Sequence, residues 1–149
     1  KKIRMLVNFA GSLCVKLGVL KFIKFTTYNL DLKYFNLSEF DSPDEVGSGN
    51  KMDSKFLEKL DYARHNAGIP FKINSGYRTK AWNLRVKGKS HSSHCLGLAC
   101  DIACNGSRER YIILDALMSV GINRLGIGKS FLHCDIDNSK DQDVIWLYK

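Results

Sequence analysis

Ser92-Ser93-His94-Cys95-Leu96-Gly97-Leu98-Ala99-Cys100-Asp101 joins a polar, glycine-broken turn to the start of an alternating strand. Leu98 to Ala103 alternates in the manner of a strand, with Leu98, Cys100 and Ile102 on one face and Ala99, Asp101 and Ala103 on the other. Two alanines flanking an aspartate leave the carboxylate open to approach. Further along, Phe131-Leu132-His133-Cys134-Asp135 repeats the pattern: Leu132, Cys134 and Ile136 take the core face, and Phe131, His133, Asp135 and Asp137 the other. Together the two stretches offer imidazole, carboxylate and imidazole from His94, Asp101 and His133. This set suits a divalent zinc ion and leaves its fourth position for water. His94 and Asp101 are seven residues apart, too far to stand side by side on one strand, and Gly97 between them permits a turn that aims both at one point.

Upstream of this stretch, Phe56, Leu57, Leu60, Ala63 and Ala67 recur at helical spacing, with Asp53 or Ser54 placed to cap the start and Gly68 to stop the helix. Before it, Tyr34 to Phe40 opens the domain proper around Ser38, which can cap a helical turn, and Asp41 to Asn50 is a loop. Pro70 to Ser75 alternates like a strand and delivers the chain into the turn Gly76-Tyr77-Arg78-Thr79, so that Arg78 stands at a strand end ahead of the metal stretch. Residues 85–93 are polar and glycine-containing and read as a mobile loop, with His91 an exposed loop residue rather than a ligand.

Downstream, Arg108 to Val120 carries the stripe Ile112, Ile113, Ala116, Leu117 and Val120, with Gly121 as its stop. The last third reads as antiparallel strands: 124–128, a tight connection, 131–137, and a final strand 144–148 after a polar turn. The expected fold is α+β, a small antiparallel sheet carrying the site with two main helices packed on its other face.

The charge is unevenly spread. The chain of 149 residues has 23 Lys and Arg against 15 Asp and Glu, a net charge of +8, but six of the basic residues and none of the acidic ones fall in the first 24 positions. The remainder is nearly balanced, which speaks against a nucleic-acid binder. Residues 1–29 therefore form a basic extension with three open readings: a poor export signal, a helix lying on a membrane surface through weak contact, or an extension without a role. Residues 30–149 form the domain. Cys14, Cys95, Cys100, Cys104 and Cys134 are odd in number and show no Cys-x-x-Cys spacing, so a secreted disulfide framework is not indicated. They read either as small apolar packing or as residues of which one competes for the metal or is open to oxidation.

The run Ser92-x-His94-x-x-Gly97-x-Ala99-x-Asp101, preceded by Ser75-Gly76-Tyr77-Arg78 and followed by His133-x-Asp135, resembles the zinc D-alanyl-D-alanine carboxypeptidase family of peptidoglycan peptidases. That family includes phage L-alanyl-D-glutamate endopeptidases and shares its fold with the hedgehog signalling domain; the resemblance covers about residues 34–148. It implies that His94, Asp101 and His133 hold zinc. It also implies that Arg78 binds a substrate carboxylate or steadies the oxyanion, and that Ser92 and Asn83 support the substrate. Several branches carry an acid three or six positions before the last histidine, where this chain has Ser130 and Ile127. Asp135 is the remaining acidic candidate, either as general base or as the group that orients His133. The implied activity is hydrolysis of an amide bond in peptidoglycan stem peptides, as a carboxypeptidase or an endopeptidase, by a monomer acting at the bacterial cell wall. Such an enzyme is either secreted or periplasmic, or phage-encoded and made in the host cytoplasm. The absent upstream acid leaves a non-catalytic zinc-binding module of the same fold as the alternative.

Overall fold

The computed structural model describes residues 31–148; the extension expected over residues 1–29, and Cys14 with it, lies outside them. Two helices carry most of the apolar stripe. Helix α1 spans Ser54–Ala67, capped by the Asp53 carboxylate, which accepts from the Phe56 backbone N at 2.9 Å, and closed by Gly68. Strand β1 is Ile73–Ser75 and is followed by a short helix α2, Lys80–Arg85. Strand β2 is Ala99–Ala103, helix α3 Ser107–Ser119, and strands β3, β4 and β5 are Arg124–Ile127, Phe131–Asp135 and Val144–Leu147.

The five strands form one sheet in the order β1-β2-β4-β3-β5. Three of its pairings are antiparallel as expected, but β5 runs parallel to β3, so the sheet is mixed. The cause is topological. β4 already has β2 on its free side and ends beside the start of β3, where Asp135 faces Arg124. A short loop from that point can reach only the outer side of β3, and the strand laid there runs in β3's direction.

Phe56, Leu57 and Leu60 of α1, with Ile113 and Leu117 of α3, pack in one cluster with Cys100, Ile102, Leu125, Leu132 and Cys134 of the sheet. Both main helices thus cover one face of the sheet, and the residues that alternate with this set emerge on the other face. Three local readings are corrected. The opening turn, Leu37–Phe40, is capped from Asn36 rather than Ser38, with Glu39 accepting from the Asn36 backbone N at 2.8 Å. The strand expected from Pro70 is regular only over Ile73–Ser75. Helix α2 was not anticipated, although Thr79 is a good cap and accepts from the Trp82 backbone N at 2.9 Å.

Candidate metal centre

Strand register does the first part of the assembly. Asp101 of β2 pairs directly with His133 of β4, and since both side chains leave the core on the open face, the Nδ1 of His133 lies 2.8 Å from Oδ1 of Asp101. His94 comes from a single 3-10 turn, Ser93–Leu96, that precedes β2. Gly97 ends that turn in the left-handed region at φ 71°, and a Cβ there would sit 2.2 Å from the Lys51 carbonyl oxygen. Only glycine fits both demands. The turn swings His94 back over β2, where its Nε2 stands 3.2 Å from His133 Nδ1 and 3.3 Å from Asp101 Oδ1.

The donor set fits a metal ion. Two ligands held at about 2.0–2.1 Å on a tetrahedral ion stand about 3.3 Å apart, close to the triangle observed. The outer contacts fix both imidazoles in the tautomers that coordination needs. Nδ1–H of His94 donates to the Gly76 carbonyl oxygen at 2.7 Å, leaving Nε2 as the lone pair. Nε2–H of His133 donates to Asp135 Oδ2 at 3.1 Å, leaving Nδ1. The charge balance agrees. Burial disfavours the charged form of His133, but hydrogen bonds to Asp101 and Asp135 outweigh it and push the group up to about 9. Burial pulls His94 below its ordinary value. Burial would raise Asp101, yet its bonds to His133 and His94 carry it well below the usual carboxylate range. A nest of this kind holds a cation, either a proton on His133 or a metal ion.

The sequence profile of the family described as Peptidase M15 matches residues 32–136, a span that contains all three of these side chains. The chain belongs to the peptidase M15 family. No curated protein matches it. M15 members are metal-dependent peptidases, and the match runs from residue 32, ahead of the opening turn, to Ile136, the residue after β4, leaving β5 outside.

Around this M15 site the other expected residues take different places. Arg78 reaches it: Nη2 donates to Asp101 Oδ2 at 2.6 Å and Nε to Ser75 Oγ at 2.8 Å, while Nη1 has no partner among the described residues. Ser92 is half-buried on the rim of the cavity that the site opens into. Asn83 does not reach the site. It is buried at the base of the 86–91 loop, where Nδ2 donates to the Lys89 carbonyl at 2.9 Å, and the α2 turn that was not foreseen is what turns it inward. His91 is exposed, as read from the sequence.

Asp135 is 2% exposed, with Oδ2 on His133 and Oδ1 accepting from Arg124 Nε at 2.8 Å and the Asp137 backbone N at 2.9 Å. A carboxylate so occupied holds the histidine from behind, and this geometry argues against the general-base alternative. Cys100 and Cys134 face the core, their sulfurs 3.5 Å apart, and burial pushes the Cys100 thiol up, so packing prevails over metal competition for this pair. Arg124 was missed by sequence reasoning. Its signal was present, a lone arginine on an apolar strand in register with an aspartate.

Proposed function

We propose that this M15 peptidase uses zinc and hydrolyses an amide bond in the stem peptides of peptidoglycan. The observation that carries the reading is the convergence of His94, Asp101 and His133 with lone pairs aimed at one point. Zinc bound there would supply a Lewis acid for the carbonyl and bring a bound water towards neutrality. Arg78 keeps Asp101 in place through Nη2 and turns its remaining donor to a substrate carboxylate or to the developing oxyanion. Ser92 offers a hydroxyl on the cavity rim. Asp135 orients His133 and holds its Nε2 proton. The enzyme works as a monomer at the bacterial cell wall, either exported or phage-encoded and made in the host cytoplasm, and takes no nucleic acid.

Digestion of purified sacculi with the zinc-loaded chain, followed by mass spectrometry of the muropeptides, tests the proposal. New peptide products that vanish with a chelator and with Asp101→Ala are expected. Unchanged sacculi, or products that survive both treatments, refute it. One observation favours a second reading, a zinc-binding module without hydrolysis: Asp135, the acidic candidate for a base, has both oxygens engaged behind His133. That reading requires zinc binding together with intact sacculi.

A further inference from the structure

Strand β5 lies beyond the residues that match the family, yet it builds one wall of the site. The rings of Trp146 and Tyr148 lean over His133, with centroids 5.5 and 6.2 Å from the imidazole. Phe131 extends the wall at 5.1 Å from Tyr148. The wall is a built feature. Gly126, in register with both His133 and Trp146, leaves the space the rings occupy: a Cβ there would meet Tyr148 at 2.5 Å and Trp146 at 2.7 Å. The Arg124 guanidinium stacks on Trp146 at 5.5 Å and fixes that ring. Tyr148 stays 45% exposed.

We infer that this wall is a saccharide subsite, and that the substrate is a stem peptide still joined to its muramic acid; the inference rests on the peptidoglycan reading above. The chemistry of the lining selects the occupant. Among the described residues that line a cavity of about 910 Å³, Val86 is the one aliphatic residue, and the other apolar ones are the aromatic Phe131, Trp146 and Tyr148 amid charged and hydroxyl groups. A pocket for an aliphatic side chain has little use for so many charged and hydroxyl groups around its apolar wall. A sugar ring instead presents polarised C–H bonds to aromatic faces and hydroxyls to a polar rim.

Reach agrees. The lactyl group and the first amino acid span about 7 Å when extended, so a sugar on the wall places the carbonyl after that residue at the His-Asp-His group. The terminal D-Ala-D-Ala bond lies three residues further, roughly 10 Å too far. Lys87 and Lys89 line the same cavity and form no ion pair among the described residues, which suits the carboxylate of the second residue. The subsite therefore assigns the cut to the L-Ala-D-Glu bond.

The test has two arms on the zinc-loaded full chain. In the first, kcat/KM is compared for an N-acetylmuramoyl tripeptide and the same tripeptide without the sugar. A preference of about tenfold or more for the sugar-bearing form, reduced to near unity by Tyr148→Ala and by Gly126→Ala, is expected. In the second, Trp146 fluorescence in a Trp82→Phe background follows binding of N-acetylmuramoyl-L-alanine, which has no such bond left to cut, against N-acetyl-L-alanine. Tighter binding of the sugar form, weakened by Tyr148→Ala, is expected. Equal binding of the two ligands, or a preference that ignores the wall variants, overturns the subsite. Equal loss on both substrates in those variants also overturns it, since it marks an apolar peptide wall. Sugar-selective binding with no hydrolysis of either tripeptide removes the peptidase reading and leaves the subsite standing.

Discussion

Metal binding at this centre must expel a proton, and the size of that effect follows from His133. Two carboxylates hold its imidazolium up to about 9, so at pH 7 only about 1% of the metal-free protein has Nδ1 available. Asp101 is ionised well below this range and His94 stays below its ordinary value, so neither adds a proton between pH 7 and 9. Zinc affinity should rise about tenfold per pH unit over that window, about 100-fold in all, and level off above pH 9. Competition against a chromophoric chelator at constant ionic strength measures the slope. Calorimetry in two buffers of different ionisation enthalpy should count close to one proton released per ion at pH 7.5. Asp135→Asn takes away one of the two anions, so the break should move to lower pH and plateau affinity should fall about 10- to 100-fold. Affinity that is flat from pH 7 to 9, with no proton released, refutes the account of His133. A break that stays near pH 9 in Asp135→Asn refutes the role given to Asp135.

The same proton stabilises the metal-free fold. With the folded value raised from an ordinary 6.5 to about 9, the contribution, on the order of 3 kcal/mol, is complete below pH 6.5 and is lost as pH rises through 9; urea melts of chelated protein at pH 6 and 9.5 should show this loss. Arg124→Leu takes one of three partners from the buried Asp135 carboxylate, leaving His133 and the Asp137 backbone N–H, and should cost roughly 1.5–3 kcal/mol by chemical denaturation. Gly97→Ala forces an L residue to φ 71° with its Cβ 2.2 Å from a carbonyl oxygen. A loss of roughly 2–4 kcal/mol together with weakened zinc binding is expected; wild-type values for both in this variant would show that the turn does not position His94.

What could be read in the chain was whatever depends on a local period. The alternation within 99–103 and 131–135 separated site from core, because a pleated strand leaves its residues no other arrangement, whereas Leu98, read as a core residue, precedes β2 and lies outside the core cluster. The stripe of α1 and its Asp53 cap were legible for the same reason. Features set by what lies beside an element were not. The direction of β5 depends on β4 having no free edge, and no pattern within 144–148 reports that. Asn83 was placed by likeness to a family position, whereas its side chain answers to the carbonyl of Lys89. The burial of Asp135 behind His133 and its bond to Arg124 were not legible either, since an exposed base and a buried orienting group have the same spelling.

The centre draws its geometry from the hydrophobic pattern and not from the ion. Asp101 and His133 face one another because Cys100, Ile102, Leu132 and Cys134, all at 0% exposure, lock β2 and β4 in one register. A slip of either strand by one residue would turn its two core residues to the open face and bury its ligand. Exposing Ile102 or Leu132 costs roughly 1.5–3 kcal/mol, and burying a carboxylate or an imidazole among apolar side chains without its partners costs several kcal/mol more, which together exceed what a loosely bound ion could restore. The ligand triangle therefore stands ready before metal arrives, unlike a finger that folds around its zinc. Chelation should leave the far- and near-ultraviolet circular dichroism unchanged. It should lower stability only by the linkage term, about 2.7 kcal/mol when free zinc is a hundred times its Kd. Unfolding on removal of zinc at neutral pH would show instead that the ion, and not the pleat, holds the two strands in place.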